Sequence, residues 1–118
     1  MKTLILDIDG TLVHQHEDYI EKIVNKEPNT ALPGVLEKFK EWDKKGYRII
    51  LITGRRESSR KITEDMLAEL GIFYDQLIMG VSIGPRILVN DLKPGKPNEP
   101  MAVAINLKRN EGIKDIDV

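Results

Sequence analysis

Residues 3–8, Thr3-Leu4-Ile5-Leu6-Asp7-Ile8, form an apolar, β-compatible run with no polar alternation before Asp7. A strand of that pattern is covered on both faces, as in a parallel sheet with helices above and below. The run gives way to Asp9-Gly10-Thr11, and Gly10 lets the backbone turn sharply as it leaves the sheet. Two carboxylates two residues apart therefore stand at the end of a buried strand.

The rest of the chain repeats this grammar. Pro33-Gly34-Val35 opens a helix whose apolar stripe is Val35, Leu36, Phe39 and Trp42, read as packing residues. Lys44-Lys45-Gly46 closes it with cations and a C-cap glycine. Residues 47–52 read as a second strand that ends in Thr53-Gly54-Arg55-Arg56. Residues 58–70 read as a second helix with Ile62, Met66, Leu67 and Leu70 on its stripe and Gly71 as its cap. Residues 76–79 read as a short third strand, and 80–85 as a loop. Residues 86–89 read as a further apolar strand that ends in Asn90-Asp91. The segment 93–100 holds three prolines and is irregular, 102–107 reads as a last strand, and the polar tail from Lys108 frays. Residues 14–32 read as a flap or short helix inserted after the first strand.

Alternating strands and helices predict an α/β fold: a three-layer α/β/α sandwich on a mainly parallel, Rossmann-like sheet. Its 118 residues favour one domain spanning the chain. Ligands of such sheets bind beyond the C-terminal strand ends. Here those ends carry Asp7-x-Asp9, Thr53-Gly54-Arg55 and Asn90-Asp91.

Composition narrows the chemistry. With no cysteine, disulfides and thiolate metal sites are excluded, which fits a reducing compartment. A net charge of -1 gives no global bias toward nucleic acid or an anionic membrane. No apolar run approaches the roughly 20 residues that span a bilayer, and Met1-Lys2-Thr3 leads straight into a strand rather than a signal peptide. A cytoplasmic protein is the expectation.

Two like charges as close as Asp7 and Asp9 resist joint ionisation unless a cation or hydrogen-bond donors compensate. Hard oxygen ligands without His or Cys suit Mg²⁺, which keeps waters and shares its shell with a phosphate. A lone Asp-x-Asp would be explained by one acid capping a turn and the other being solvated. Its place after a buried strand, before Gly-Thr, argues for chemistry instead.

Asp7-Ile8-Asp9-Gly10-Thr11-Leu12 resembles the first motif of the haloacid dehalogenase (HAD) superfamily, whose members are mostly phosphatases. Leu51-Ile52-Thr53-Gly54-Arg55 is similar to the second motif, and Ile87-Leu88-Val89-Asn90-Asp91 to the fourth. The Asp18-Tyr19 insert and the Thr-Gly-Arg form also resemble small members associated with capsule and surface-polysaccharide biosynthesis.

The resemblance implies a Mg²⁺-dependent phosphohydrolase of small phosphorylated metabolites, sugar phosphates included. Asp7 would be the nucleophile and form an aspartyl-phosphate. Asp9 would be the acid and base. Mg²⁺ would lie among Asp7, the Asp9 carbonyl, Asn90 or Asp91, and a phosphate oxygen. Thr53 and the backbone N–H groups near residues 8–10 would hold the phosphoryl oxygens, with Gly10, Thr11, Gly54 and Arg55 lining the substrate. The chain departs from the pattern twice. Asn90 stands where an acid usually comes first, which favours Asp91 as the ligand. No Lys occupies 80–85, where the third motif would lie.

Arg86 is four residues before Asn90, some 13 Å down a strand at roughly 3.3 Å per residue. Lys93 is therefore the expected catalytic cation, with Lys96 an option if the proline-rich loop folds back. Arg55 and Arg56 either reach a substrate phosphate or pair with an acid. His14 and His16 lie near the first motif without the spacing of a metal site. A minimal cap leaves room for a neighbouring subunit, so a homo-oligomer is compatible with the pattern.

Two other classes compete. A receiver-like signalling domain has similar length and a Mg²⁺-bound aspartate, but places that Asp at the end of its third strand, where this chain has none. A catalytically weak HAD-like binding module would account for Asn90 and the missing lysine.

Overall fold

The computed structural model describes residues 1–16 and 30–118. Strand β1 (Thr3–Asp7) is followed by helix α1 (Val35–Lys44), strand β2 (Arg48–Ile52), a 3-10 turn (Glu57–Ser59), helix α2 (Arg60–Leu70) and strand β3 (Gln76–Ile78). The strands form one parallel sheet in the order β1-β2-β3. This is the expected fold class, a parallel Rossmann-like sheet with helices, although the described residues put one helical layer on it where two were expected. The flap expected at 14–32 lies, from 17 to 29, outside the described residues. Its two ends are tied together: Val13 and Ala31 form an antiparallel bridge, and Leu32 N–H donates to the Leu12 carbonyl at 2.8 Å.

Register places Leu6, Leu51 and Leu77 in one row across the sheet. All three are buried, in one hydrophobic cluster with Val35, Phe39 and Trp42 of α1 and Met66 and Leu67 of α2. Right-handed crossovers running in one direction bring both helices to the same face of the sheet. Phe39 makes the joint, with ring centroids 5.3 Å from Trp42 and 5.5 Å from Phe73. The opposite face is only partly covered: Ile5 is 53% and Ile78 45% exposed. The expectation that β1 is buried on both faces is thus corrected, because both crossover helices lie on one side.

The helix stripes follow the sequence with one shift. Val35, Phe39 and Trp42 are buried, while Leu36 is exposed. On α2 the buried face is Thr63, Met66 and Leu67, and Ile62 points to solvent. Thr63 takes the inner position because its hydroxyl has a partner there, described below.

Among the described residues no regular element follows β3. The strands expected at 86–89 and 102–107 are irregular, with Ile87, Leu88, Val89 and Val103 exposed. A strand forms only where a neighbour completes its ladder, and β1 and β3, the two edge strands, have neither segment beside them.

The tail does not fray as expected. Asn110 sits at φ 66°, Ile113 is buried, and Ile113 N–H donates to the Pro33 carbonyl at 2.9 Å. Gly112 has φ +88°, and a Cβ there would collide with the Pro33 backbone. Gly112→Ala is therefore expected to cost about 2 kcal/mol or more, the sum of left-handed strain and a displaced tail. A denaturant titration checks this; a midpoint equal to the parent's would contradict the docking of the tail.

Candidate active site

Asp7 is the last residue of β1, and the chain then folds into a tight turn. The Ile8 carbonyl accepts N–H groups from Thr11 (3.2 Å), Leu12 (2.8 Å) and Val13 (3.2 Å), and Gly10 N–H donates to the Val13 carbonyl at 2.7 Å. Gly10 adopts φ +85°, which a residue with a Cβ rarely does. Ile8, Leu12 and Val13 are buried and anchor the turn. Asp7 and Asp9 are thereby held partly buried at the end of the sheet.

The two acids have different settings. Asp7 Oδ1 accepts the Ile8 N–H at 3.0 Å. Burial pushes the Asp7 pKa above its usual carboxylate value; the Ile8 hydrogen bond and the Arg86 charge oppose this, Asp9 adds to it, and Arg109 opposes it. Asp9 is gripped by Arg55: Nε donates to Oδ2 at 2.9 Å and Nη2 to Oδ1 at 2.7 Å. Arg55 Nη1 also reaches the buried Thr63 hydroxyl at 3.2 Å, which explains the shifted stripe of α2. Of the two roles the sequence left open for Arg55, the structure displays pairing with an acid, in the bidentate form a guanidinium favours.

Arg55 is placed by the turn after β2. Thr53 is buried; its N–H donates to the Ile78 carbonyl and its carbonyl accepts from Val81, both at 3.0 Å. Its Oγ1 accepts the Arg55 N–H at 3.1 Å, so the hydroxyl proton can still point elsewhere. Gly80 N–H donates to the Arg55 carbonyl at 2.7 Å. A Cβ at Gly54 would lie 2.9 Å from Ile83 Cγ2, so glycine lets loop 80–84 close over this turn.

The structure thus groups Asp7, Asp9, Gly10 and Thr11 after β1, and Thr53, Gly54 and Arg55 after its parallel neighbour β2. It does not bring Asn90, Asp91 or Lys93 to them. These three are exposed in irregular chain, because the strand that would deliver them is not formed. With that strand absent, Arg86 is no longer held some 13 Å away by a rise of roughly 3.3 Å per residue. Among the described residues, the cations acting on Asp7 are Arg86 and Arg109. Lys96 pairs with Glu99 instead. The expected backbone cradle is also reduced, since the Ile8 and Gly10 N–H groups are used within the turn. His14 and His16 contact one another, ring centroids 4.8 Å apart.

Sequence reasoning missed Arg109 and Asn110. Asn110 N–H donates to the Gly10 carbonyl at 2.8 Å, and its side chain exchanges two hydrogen bonds with the Gln15 backbone, at 2.6 and 3.1 Å. The Asn110-Glu111-Gly112 spacing is a turn signal. Nothing in it tells where the turn docks.

Among the described residues no three His, Cys, Asp or Glu side chains converge as a metal cluster. With both Asp9 carboxylate oxygens on Arg55, the Asp7 carboxylate is the one left to fit Mg²⁺, an ion commonly held by one or two carboxylates with water and substrate phosphate completing its shell.

A family model, HAD superfamily subfamily IIIB (acid phosphatase), matches residues 1–82. Among solved structures, a chain of the Pnkp1/Rnl/Hen1 complex is 30% identical over 73% of this chain and 30% of its own, with a TM-score of 0.54. A D,D-heptose 1,7-bisphosphate phosphatase from B. bronchiseptica, complexed with magnesium and phosphate, is 22% identical over 67% and 49%, with a TM-score of 0.49. A putative β-phosphoglucomutase from Thermotoga maritima is 14% identical over 71% and 64%, also at 0.49. The chain thus spans less than two thirds of the length of each. No curated protein matches it. The matched stretch carries the Asp7-x-Asp9 turn and the Thr53 turn on adjacent parallel strands, and the chain belongs to the HAD superfamily, subfamily IIIB.

Proposed function

We propose that the chain is a phosphohydrolase that takes phosphate from a small phosphorylated metabolite, sugar phosphates among them, with Mg²⁺ and through an aspartyl-phosphate. The observation that carries this reading is the unequal setting of two neighbouring acids. Among the described residues Asp7 accepts at Oδ1 alone, whereas both Asp9 oxygens lie on the Arg55 fork. One carboxylate has an oxygen to spend on a bond, and the other is fixed in place beside it by a guanidinium.

In this reading an Asp7 oxygen attacks phosphorus, and the bond from phosphorus to the leaving oxygen breaks as Asp9 supplies its proton. Water then attacks the phosphorus of the aspartyl-phosphate, passes a proton to Asp9, and releases Asp7 as carboxylate. To act first as an acid, Asp9 turns one protonated oxygen away from Arg55. The Thr53 hydroxyl, Gly10, Thr11 and Gly54 bound the space for the phosphoryl group. Mg²⁺ would be held by the Asp7 carboxylate and the Asp9 carbonyl, with water and substrate phosphate completing its shell, and would offset the charge of an anionic nucleophile meeting an anionic substrate. A cytoplasmic setting and a second copy covering the site belong to the same proposal. Among the described residues no helix is long and apolar enough to cross a membrane.

The test is a panel of phosphorylated metabolites assayed for phosphate release with and without Mg²⁺. Release from at least one small phosphomonoester, only with Mg²⁺, is expected. Silence across the panel from protein that still binds Mg²⁺ would favour a binding module instead. The receiver-like alternative gains nothing from β3, which ends at Ile78 and runs into Met79 and Gly80.

A further inference from the structure

A phosphate dianion needs several donors, and most near this turn are already committed. The Ile8 and Gly10 N–H groups bond within the turn, and the Arg55 fork holds Asp9. Both cations near Asp7 are exposed, but Arg86 turns back on its own segment, its Nη1 donating to the Gly84 carbonyl two residues back at 3.0 Å. Arg109 is different. Its backbone is fixed by its neighbour Asn110, which donates to Gly10 and clasps Gln15 from a left-handed φ of 66°. Its stem crosses the first turn: a Cβ built on Gly10 would stand 3.1 Å from Arg109 Cγ and 3.8 Å from Cδ. Gly10 is favoured for its own φ, and a Cβ there would also crowd this stem. Among the described residues the Arg109 guanidinium has no hydrogen-bond or ion-pair partner.

Resting on the phosphatase reading, we infer that Arg109, carried by the Asn110 clasp onto the Gly10–Gln15 loop, is the residue that binds the substrate's phosphate. A guanidinium suits this role because it is planar, permanently charged and able to give two parallel N–H bonds to phosphate oxygens. The cation that the resemblance would place near 80–85 would here arrive from 99 residues beyond Gly10, with the tail serving as its carrier. The arrangement also gives the docking of Ile113 against Pro33 a purpose: loosening the tail withdraws the cation.

The test uses the full chain with two readouts, binding of inorganic phosphate by ³¹P line broadening and hydrolysis of an aryl phosphate with Mg²⁺. Arg109→Gln should weaken phosphate binding about tenfold and lower kcat/KM about a hundredfold. Arg109→Lys should recover part of both. Lys108→Gln should stay within about twofold of the parent, since general surface charge is a weak effect. Asp7→Asn should lose hydrolysis yet keep phosphate binding that depends on Arg109. Unaltered phosphate binding and turnover in Arg109→Gln would overturn the inference and leave the phosphatase reading standing. Phosphate binding that needs Arg109 in a protein with no hydrolysis would do the reverse. A parent protein that neither binds phosphate nor hydrolyses the ester overturns both.

Discussion

Asp7→Asn is expected to abolish phosphate release and to make the protein more stable at neutral pH. The first effect follows from losing the proposed nucleophile: an amide cannot form the proposed acyl-phosphate, and a loss of at least about 10³-fold is expected. The second follows from burial, the largest influence on this carboxyl, which raises its pKa above 3.8. The folded protein thus binds the Asp7 proton more tightly than the unfolded chain does. That stabilisation is complete below the unfolded value and is lost as pH rises through the folded one. At pH 7 the parent carries a partly buried charge that the Asn variant lacks, while Asn Oδ1 can still accept the Ile8 N–H. Thermal melts in chelator should show a higher Tm for the variant at pH 7, with the gap closing as pH falls toward 4. A lower Tm at pH 7 would mean that Asp7 is not the desolvated acid described here. Undiminished turnover would remove it from the chemistry.

The second large effect concerns Asp9. Asp9→Asn keeps the shape but can neither protonate a leaving group nor take a proton from water, and it replaces half of a bidentate ion pair with an amide. General acid–base steps contribute about 10²–10⁴-fold, so turnover should fall into that range below the parent. The loss should be smaller for a good leaving group, such as an activated aryl phosphate, than for an alkyl phosphate, because the first needs little proton donation. Equal losses on the two would indicate that Arg55 and Asp9 form a structural strut and no more.

The sheet was legible because β1, β2 and β3 are apolar runs with helical stripes between them, and those are local patterns. The run at 86–89 looks the same. Ile87-Leu88-Val89 is as apolar as Ile49-Ile50-Leu51, but the latter has ladder partners on both sides and the former has none. Strand propensity is local, whereas a strand is a property of a pair. The site divides in the same way. Asp7, Asp9 and Thr53 could be read from strand ends. The partner of Asp9 could not, for Arg55 lies 46 residues away and its two possible roles differ only in three-dimensional placement. The Asn110–Gln15 clasp spans 95 residues, and it docks a polar tail on the loop that follows the first motif. Ile62 and Thr63 make the point on a smaller scale: hydrophobicity favoured Ile62 for the core, and a hydrogen bond to Arg55 put Thr63 there.

In the proposed chemistry Asp7 carries the phosphoryl group and Asp9 lets it go. Acid-quenched Asp9→Asn, taken during turnover of an aryl phosphate with Mg²⁺, tests this by peptide mass spectrometry. One added phosphoryl group is expected, located on Asp7 and absent when Asp7 is also changed to Asn. A phosphoryl group on any other residue, or active turnover with none trapped on the chain, would contradict it.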